Sequence, residues 1–140
     1  MVYHFKIHAE DSGFWAECLE LTGCSTQGDT REQLVTNAEE ALNLYLEEAE
    51  DSLVVHPLPR SIQGEDVIEV PVDPHLALSV VLRRLRTERH FTQKEVADRL
   101  GMKSTFSYQR LERRSNPSLS TLKKLKEVFP DLSLDYVLRE

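Results

Sequence analysis

The sequence predicts an α+β protein in two parts. Residues 1–74 form an antiparallel sheet with one main helix, and residues 75–140 form an all-helical domain. Three observations carry this. The chain opens with apolar residues at period two, and its second part repeats them at helical spacing. Thr30 with Gln33 and Thr92 with Glu95 have the spacing of capping boxes, which mark helix starts. The charge also reverses near Pro74. Residues 1–74 carry 16 Asp/Glu against Lys6, Arg31 and Arg60, a net of −13, whereas residues 75–140 carry 14 Lys/Arg against 8 Asp/Glu, a net of +6. Such a split points to two partners: the basic half suits nucleic acid and the acidic half repels it.

Each element has a local reason. Residues 2–9 put Tyr3, Phe5, Ile7 and Ala9 on one face and Val2, His4, Lys6 and His8 on the other, as in a half-buried strand. Glu10-Asp11-Ser12-Gly13 is turn chemistry, so residues 14–21 complete a hairpin. Residues 24–28 supply a short third strand. Thr30 then caps a helix whose Leu34, Ala38, Ala41, Leu42, Tyr45, Leu46 and Ala49 form one apolar stripe, with glutamates on the other face. After His56-Pro57-Leu58-Pro59, the Pro-bounded β-branched run at 67–72 suits an edge strand. The order β-β-β-α-β is an antiparallel sheet packed on a helix.

In the second part, residues 75–89 form a helix with Leu78, Val81, Leu82 and Leu85 inward and Arg83, Arg84, Arg86 and Arg89 largely outward. Residues 92–101 form a second helix, capped by Thr92 and ended by Gly101. A third covers 104–113, with Phe106, Tyr108 and Leu111 as candidate inward residues. A fourth covers 118–129, with Leu119, Leu122, Leu125 and Val128 at helical spacing.

Composition excludes several classes. No apolar run approaches the roughly 20 residues of a membrane span, and the N-terminus does not read as a signal peptide. A cytoplasmic location is expected. Cys18 and Cys24 lack the four N/S ligands of a zinc site, so they read as reduced, ordinary thiols. No metal and no cofactor are expected.

The stretch Leu21-Thr22-Gly23-Cys24-Ser25-Thr26-Gln27-Gly28-Asp29-Thr30, followed by Asn37-Ala38-Glu39-Glu40-Ala41-Leu42, resembles the HicB antitoxins of bacterial toxin–antitoxin pairs. The resemblance extends through the linker and late edge strand. It implies a partial ribonuclease-H-like fold. It also implies a partner, a small basic HicA-like ribonuclease toxin whose RNA surface and active site the acidic half would cover. Asp11, Trp15, Glu17 and Glu20 of the hairpin are the candidate contacts. Physically, Gly23 and Gly28 allow tight turns, while Asp29 and Thr30 favour the positive end of the helix. Nuclease chemistry would need carboxylates converging on metal ions. Asp11, Glu17 and Glu20 show no such convergence in sequence and the family is not catalytic, so no enzyme is expected.

The run Thr92-Gln93-Lys94-Glu95-Val96-Ala97-Asp98-Arg99-Leu100-Gly101, then Arg110-Leu111-Glu112 and Asn116-Pro117-Ser118-Leu119, resembles the helix-turn-helix of Cro/Xre repressors. One departure is an additional residue between Gly101 and Glu112, which shifts the recognition-helix register. In such motifs the second helix enters the major groove. The candidate DNA contacts are Lys103, Ser104, Thr105, Ser107, Tyr108, Gln109 and Arg110, the last two suited to adenine and guanine. Packing or capping is the alternative for Tyr108 and Gln109. Gln93 resembles the family's phosphate-contacting glutamine, and Lys94 and Arg114 would add backbone contacts. Arg83, Arg84 and Arg86 read as exposed charges or a phosphate rim.

Together these readings predict an antitoxin that neutralises its toxin and represses its own operon. It would act as a homo-dimer or tetramer on double-stranded operator DNA and as a hetero-oligomer with the toxin. The alternative is a repressor whose N-terminal domain only oligomerises or senses a ligand.

Overall fold

The computed structural model describes residues Met1–Glu140. It contains β1 (Val2–Glu10), β2 (Gly13–Cys18), β3 (Ser25–Gly28), α1 (Arg31–Leu46) and β4 (Val67–Pro71). These are followed by α2 (Pro74–Glu88), α3 (Gln93–Arg99), α4 (Thr105–Arg113), α5 (Leu119–Val128) and α6 (Leu134–Leu138). An antiparallel four-stranded sheet followed by helices is the α+β class expected. The chain packs as two units. One comprises Met1–Glu47, Pro57–Asp73 and Arg139–Glu140; the other comprises Glu48–His56 and Pro74–Leu138.

In the first unit the strand order is β3-β2-β1-β4, every pairing antiparallel. β1 is central. Tyr3 pairs with Val70, Phe5 with Cys18 and Ile68, and Ile7 with Ala16, so their side chains share one face. That face and the α1 residues Leu34, Ala38, Leu42 and Leu46 supply the buried core. Each large side chain so buried contributes about 1.5–3 kcal/mol. β4 lies at an edge, where Pro71 can be accommodated. β2 ends at Cys18, earlier than the alternation suggests. Leu19 turns to donate its N–H to the His4 carbonyl (2.8 Å), and Cys18 donates to the Cys24 carbonyl (2.8 Å).

Thr30 caps α1 as expected, accepting from the Gln33 N–H at 3.1 Å, but the expected box does not close: Gln33 Oε1 accepts from the Asp29 N–H at 3.0 Å rather than from that of Thr30. Gly28 has a role other than turning. A Cβ there would sit 2.7 Å from the Leu34 nitrogen and 3.0 Å from its Cα, so the missing side chain lets β3 approach α1. Cys18 and Cys24 are free and buried. Hydrogen bonding to Cys24, and then burial, push the Cys18 thiol above its usual range.

The chain departs from expectation in three further places. α1 ends at Leu46, so Ala49 is not part of its stripe. The carbonyls of Ala49 and Ser52 instead accept from the Arg83 guanidinium of α2, the first at 3.1 Å, and residues 48–56 join the helical unit. Arg83 is thus buried, at 4% exposure, where an outward charge was expected. The third is α6, which at five residues is too short to show a period in sequence; it buries Val137 and packs against α2.

Candidate functional site

The helix pair α3–α4 is assembled from local signals. At its start Thr92 Oγ1 accepts from the Glu95 N–H (3.0 Å) while Glu95 Oε1 accepts from the Thr92 N–H (3.2 Å), closing the capping box. Val96 and Ala97 are buried; alanine there lets the helices cross closely. Gly101 ends the turn of α3 at φ +71°, a conformation that disfavours a side chain. Ser104 then caps α4, accepting from the Ser107 N–H at 3.4 Å.

This cap fixes where α4 begins. From Ser104 onward the helix is regular, and Tyr108, Leu111 and Glu112 form its buried face. Residues 106 and 108 stand about 200° apart around a helix with 3.6 residues per turn, so Phe106 and Tyr108 cannot both point inward. Tyr108 does, at 0% exposure, and Phe106 is 56% exposed. Two expectations are corrected here: Tyr108 packs rather than meeting bases, and Phe106 faces out. Burial, and then Glu112, push the Tyr108 phenol well above its usual range, so it stays neutral.

Beneath this surface Glu112 forms a buried polar centre. Arg86 donates to both its oxygens, Nε to Oε2 at 2.6 Å and Nη2 to Oε1 at 3.0 Å. Arg83 Nε lies 3.7 Å from Oε1, and Gln93 Nε2 donates to it at 3.2 Å. Burial alone would lower the Arg86 pKa, but the Glu112 hydrogen bonds and charge outweigh it and raise it. Arg83 and Arg86 are therefore internal, not a phosphate rim. A second buried contact joins α2 to α4: Ser79 Oγ donates to the Leu111 carbonyl at 2.8 Å. Together they tie α4 to α2, and Gln93 ties α3 to the same centre.

On the outside, Lys103, Ser104, Ser107, Arg110 and Arg114 are exposed, and Thr105 is half-buried. Gln109 Nε2 donates to Gln93 Oε1 at 3.1 Å, so these two candidates meet. Arg110 lies over the Phe106 ring, 5.9 Å from its centroid. Lys94 is exposed and paired with Asp98 at 3.1 Å. Arg113, absent from the sequence-based set, is exposed and 3.4 Å from Glu50. Glu50 also accepts, through its carbonyl, from Gln93 Nε2 at 3.0 Å.

The acidic candidates divide differently. Asp11 is exposed in the β1–β2 turn. Trp15 stacks on His8 (4.2 Å between centroids, 17° between planes), and His8 Nε2 lies 2.9 Å from Glu17 Oε2. His8, Trp15 and Glu17 thus form one patch on the sheet. Glu20 does not join it. Its carboxylate is 1% exposed and is bonded to His4 Nδ1 (2.7 Å), the His4 N–H (2.9 Å) and the Arg60 N–H (3.2 Å). Glu20 ties the linker to the sheet, which corrects its place among the contact candidates. Glu20 is thus buried against His4, whereas Glu17 pairs with His8.

No helix is long and apolar enough to cross a membrane. The helix-turn-helix family matches residues 82–137. The UPF0150 protein ssr1765 of Synechocystis sp. is 36% identical over 74 residues, which are 51% of this chain and 86% of that protein. The protein named antitoxin HicB 1 of Photorhabdus laumondii subsp. laumondii is 28% identical over 120 residues, 83% of this chain and 73% of its own length. A match of that extent includes residues from both units.

Proposed function

This chain belongs to the UPF0150 and HicB-type antitoxin family and carries a C-terminal helix-turn-helix, and from that premise we propose that it neutralises a small basic ribonuclease toxin and represses its own operon. The observation that carries the DNA-binding part is the outer face of α4. Arg110 is exposed there, and beside it the Gln93–Gln109 pair is tied through Gln93 to the buried Glu112. Arg110 has the forked donor that suits guanine O6 and N7, and Gln109 the amide that suits adenine. Lys94, Lys103 and Arg114 add phosphate contacts, which set register without reading sequence. As a dimer, the protein would place two such helices roughly one turn of DNA, about 34 Å, apart.

For the toxin, the proposed surface is the sheet patch of Trp15 and Glu17 with Asp11 at the adjoining turn. An aromatic anchor among carboxylates fits a cationic partner, and its acid would compete with RNA phosphate and speed encounter. The chain's role is to bind, without catalysis of its own.

Co-expression with the neighbouring short open reading frame tests both parts. Rescued growth and co-purification are expected; failure of both leaves a simple repressor. Arg110→Ala should lower affinity for DNA from upstream of the gene while leaving the toxin complex intact. Equal loss of both would refute a division of labour between the units.

A further inference from the structure

Phe106 is the apolar residue on the outer face of α4, in its first turn, with more than half its surface in water. Its neighbours there, Thr105, Ser107, Gln109 and Arg110, are all polar. Most of the ring lies outside this chain's own core, whose inward side Tyr108 and Leu111 fill. The base edges of the major groove offer hydrogen-bond donors and acceptors and one apolar group, the 5-methyl of thymine. Phe106 also sits one helical turn before Arg110, whose guanidinium lies 5.9 Å from the ring centroid. That contact holds the arginine fork beside the ring. The two side chains therefore present one composite surface, a forked donor beside an apolar face.

We propose that Phe106 is a specificity-determining residue that packs on the methyl group of a thymine neighbouring the guanine read by Arg110. This rests on the reading of α4 as the groove-binding helix. It predicts a thymine next to a guanine in each half-site, with Phe106 supplying the thymine preference.

The test uses the full chain and a pool of random-sequence duplexes. Selection with the wild-type protein should enrich a motif with adjacent thymine and guanine. Replacing that thymine by uracil deletes only the methyl and should weaken wild-type binding about fourfold per half-site, from the loss of one buried methyl contact. Phe106→Ala should keep the guanine and lose both the thymine enrichment and the sensitivity to uracil. Far-UV circular dichroism of the variant should match wild type, because an exposed helical position is being changed to alanine. Equal wild-type affinity for thymine and uracil duplexes would overturn the proposal, as would retained thymine enrichment in Phe106→Ala. Failure to enrich any sequence would instead overturn the DNA-binding reading, and Phe106 would then belong to a protein contact.

Discussion

Replacing Glu112 with glutamine keeps the shape of a fully buried side chain and removes one charge. The carboxylate serves Arg86 through two hydrogen bonds, Gln93 through one, and Arg83 at 3.7 Å. Without it, two guanidinium groups with side chains 5% and 14% exposed lose their countercharge. Breaking a buried pair from one side costs about 3–5 kcal/mol. The lower end applies here, because Arg83 keeps the carbonyls of Ala49, Ser52 and Glu112, and Arg86 keeps that of Phe91. A loss of about 3 kcal/mol divided by an m-value of about 1.5 kcal/mol/M lowers the urea midpoint by about 2 M. Far-UV circular dichroism in urea measures it, since this unit holds most of the helix. The amide of glutamine also cannot accept from both arginine nitrogens, so the position of Gln93 should loosen and DNA affinity should fall with stability. A midpoint shift below about 0.5 M, corresponding to less than 1 kcal/mol at that m-value, would refute the placement of Glu112 as the electrostatic centre of the unit.

Gly28→Ala forces a Cβ to within 2.7 Å of backbone at Leu34, and overpacking of this kind costs about 1–3 kcal/mol; Trp15 fluorescence in urea should show the earlier transition, and an unchanged midpoint would mean that α1 moves aside freely. Burial lowers the His56 pKa, Glu48 opposing and Arg83 adding to the effect. The unfolded chain therefore takes up a proton near its ordinary pKa of about 6.5 while the folded one does not, so stability should fall as pH drops below that value and level off only below the folded pKa. His56→Asn should flatten that slope in thermal melts between pH 7 and 5. Glu17→Lys should weaken the toxin complex in pull-down without changing the fold, whereas Glu20→Lys should unfold the sheet unit; the reverse pattern would invert their assigned roles.

Elements governed by neighbours in sequence were legible. The alternation of Tyr3, Phe5 and Ile7 and the caps at Thr30 and Thr92 depend on a few adjacent residues, and each reappears where the pattern put it. Arg83, Arg86 and Glu20 were misplaced for a common reason. A charge defaults to the surface unless something far away in sequence meets it, and no local pattern reveals that partner. Arg83 meets carbonyls 31 and 34 residues earlier, and Glu20 meets His4, 16 residues earlier. Phe106 and Tyr108 cannot share one face of a helix, and packing against the rest of the unit, which no local pattern shows, puts Tyr108 inside and Phe106 out. Of the DNA candidates, the half-buried Gln93 and Gln109 meet each other and Arg110 is exposed, while Tyr108 is buried.

The segment Glu48–His56 has a consequence for how this chain can be dissected. A fragment beginning at Pro74 would keep Arg83 but lack two of its three carbonyl acceptors, because Ala49 and Ser52 lie upstream. A fragment ending at Asp73 would lack Arg139, which donates to Glu69 at 3.2 Å and whose carbonyl accepts from the Met1 amino group at 2.7 Å. No single cut frees either unit whole. Chimaeras between relatives should therefore exchange residues 48–56 together with 74–138 and leave 139–140 with the sheet. Modularity here belongs to interleaved segments, not to two halves of the chain.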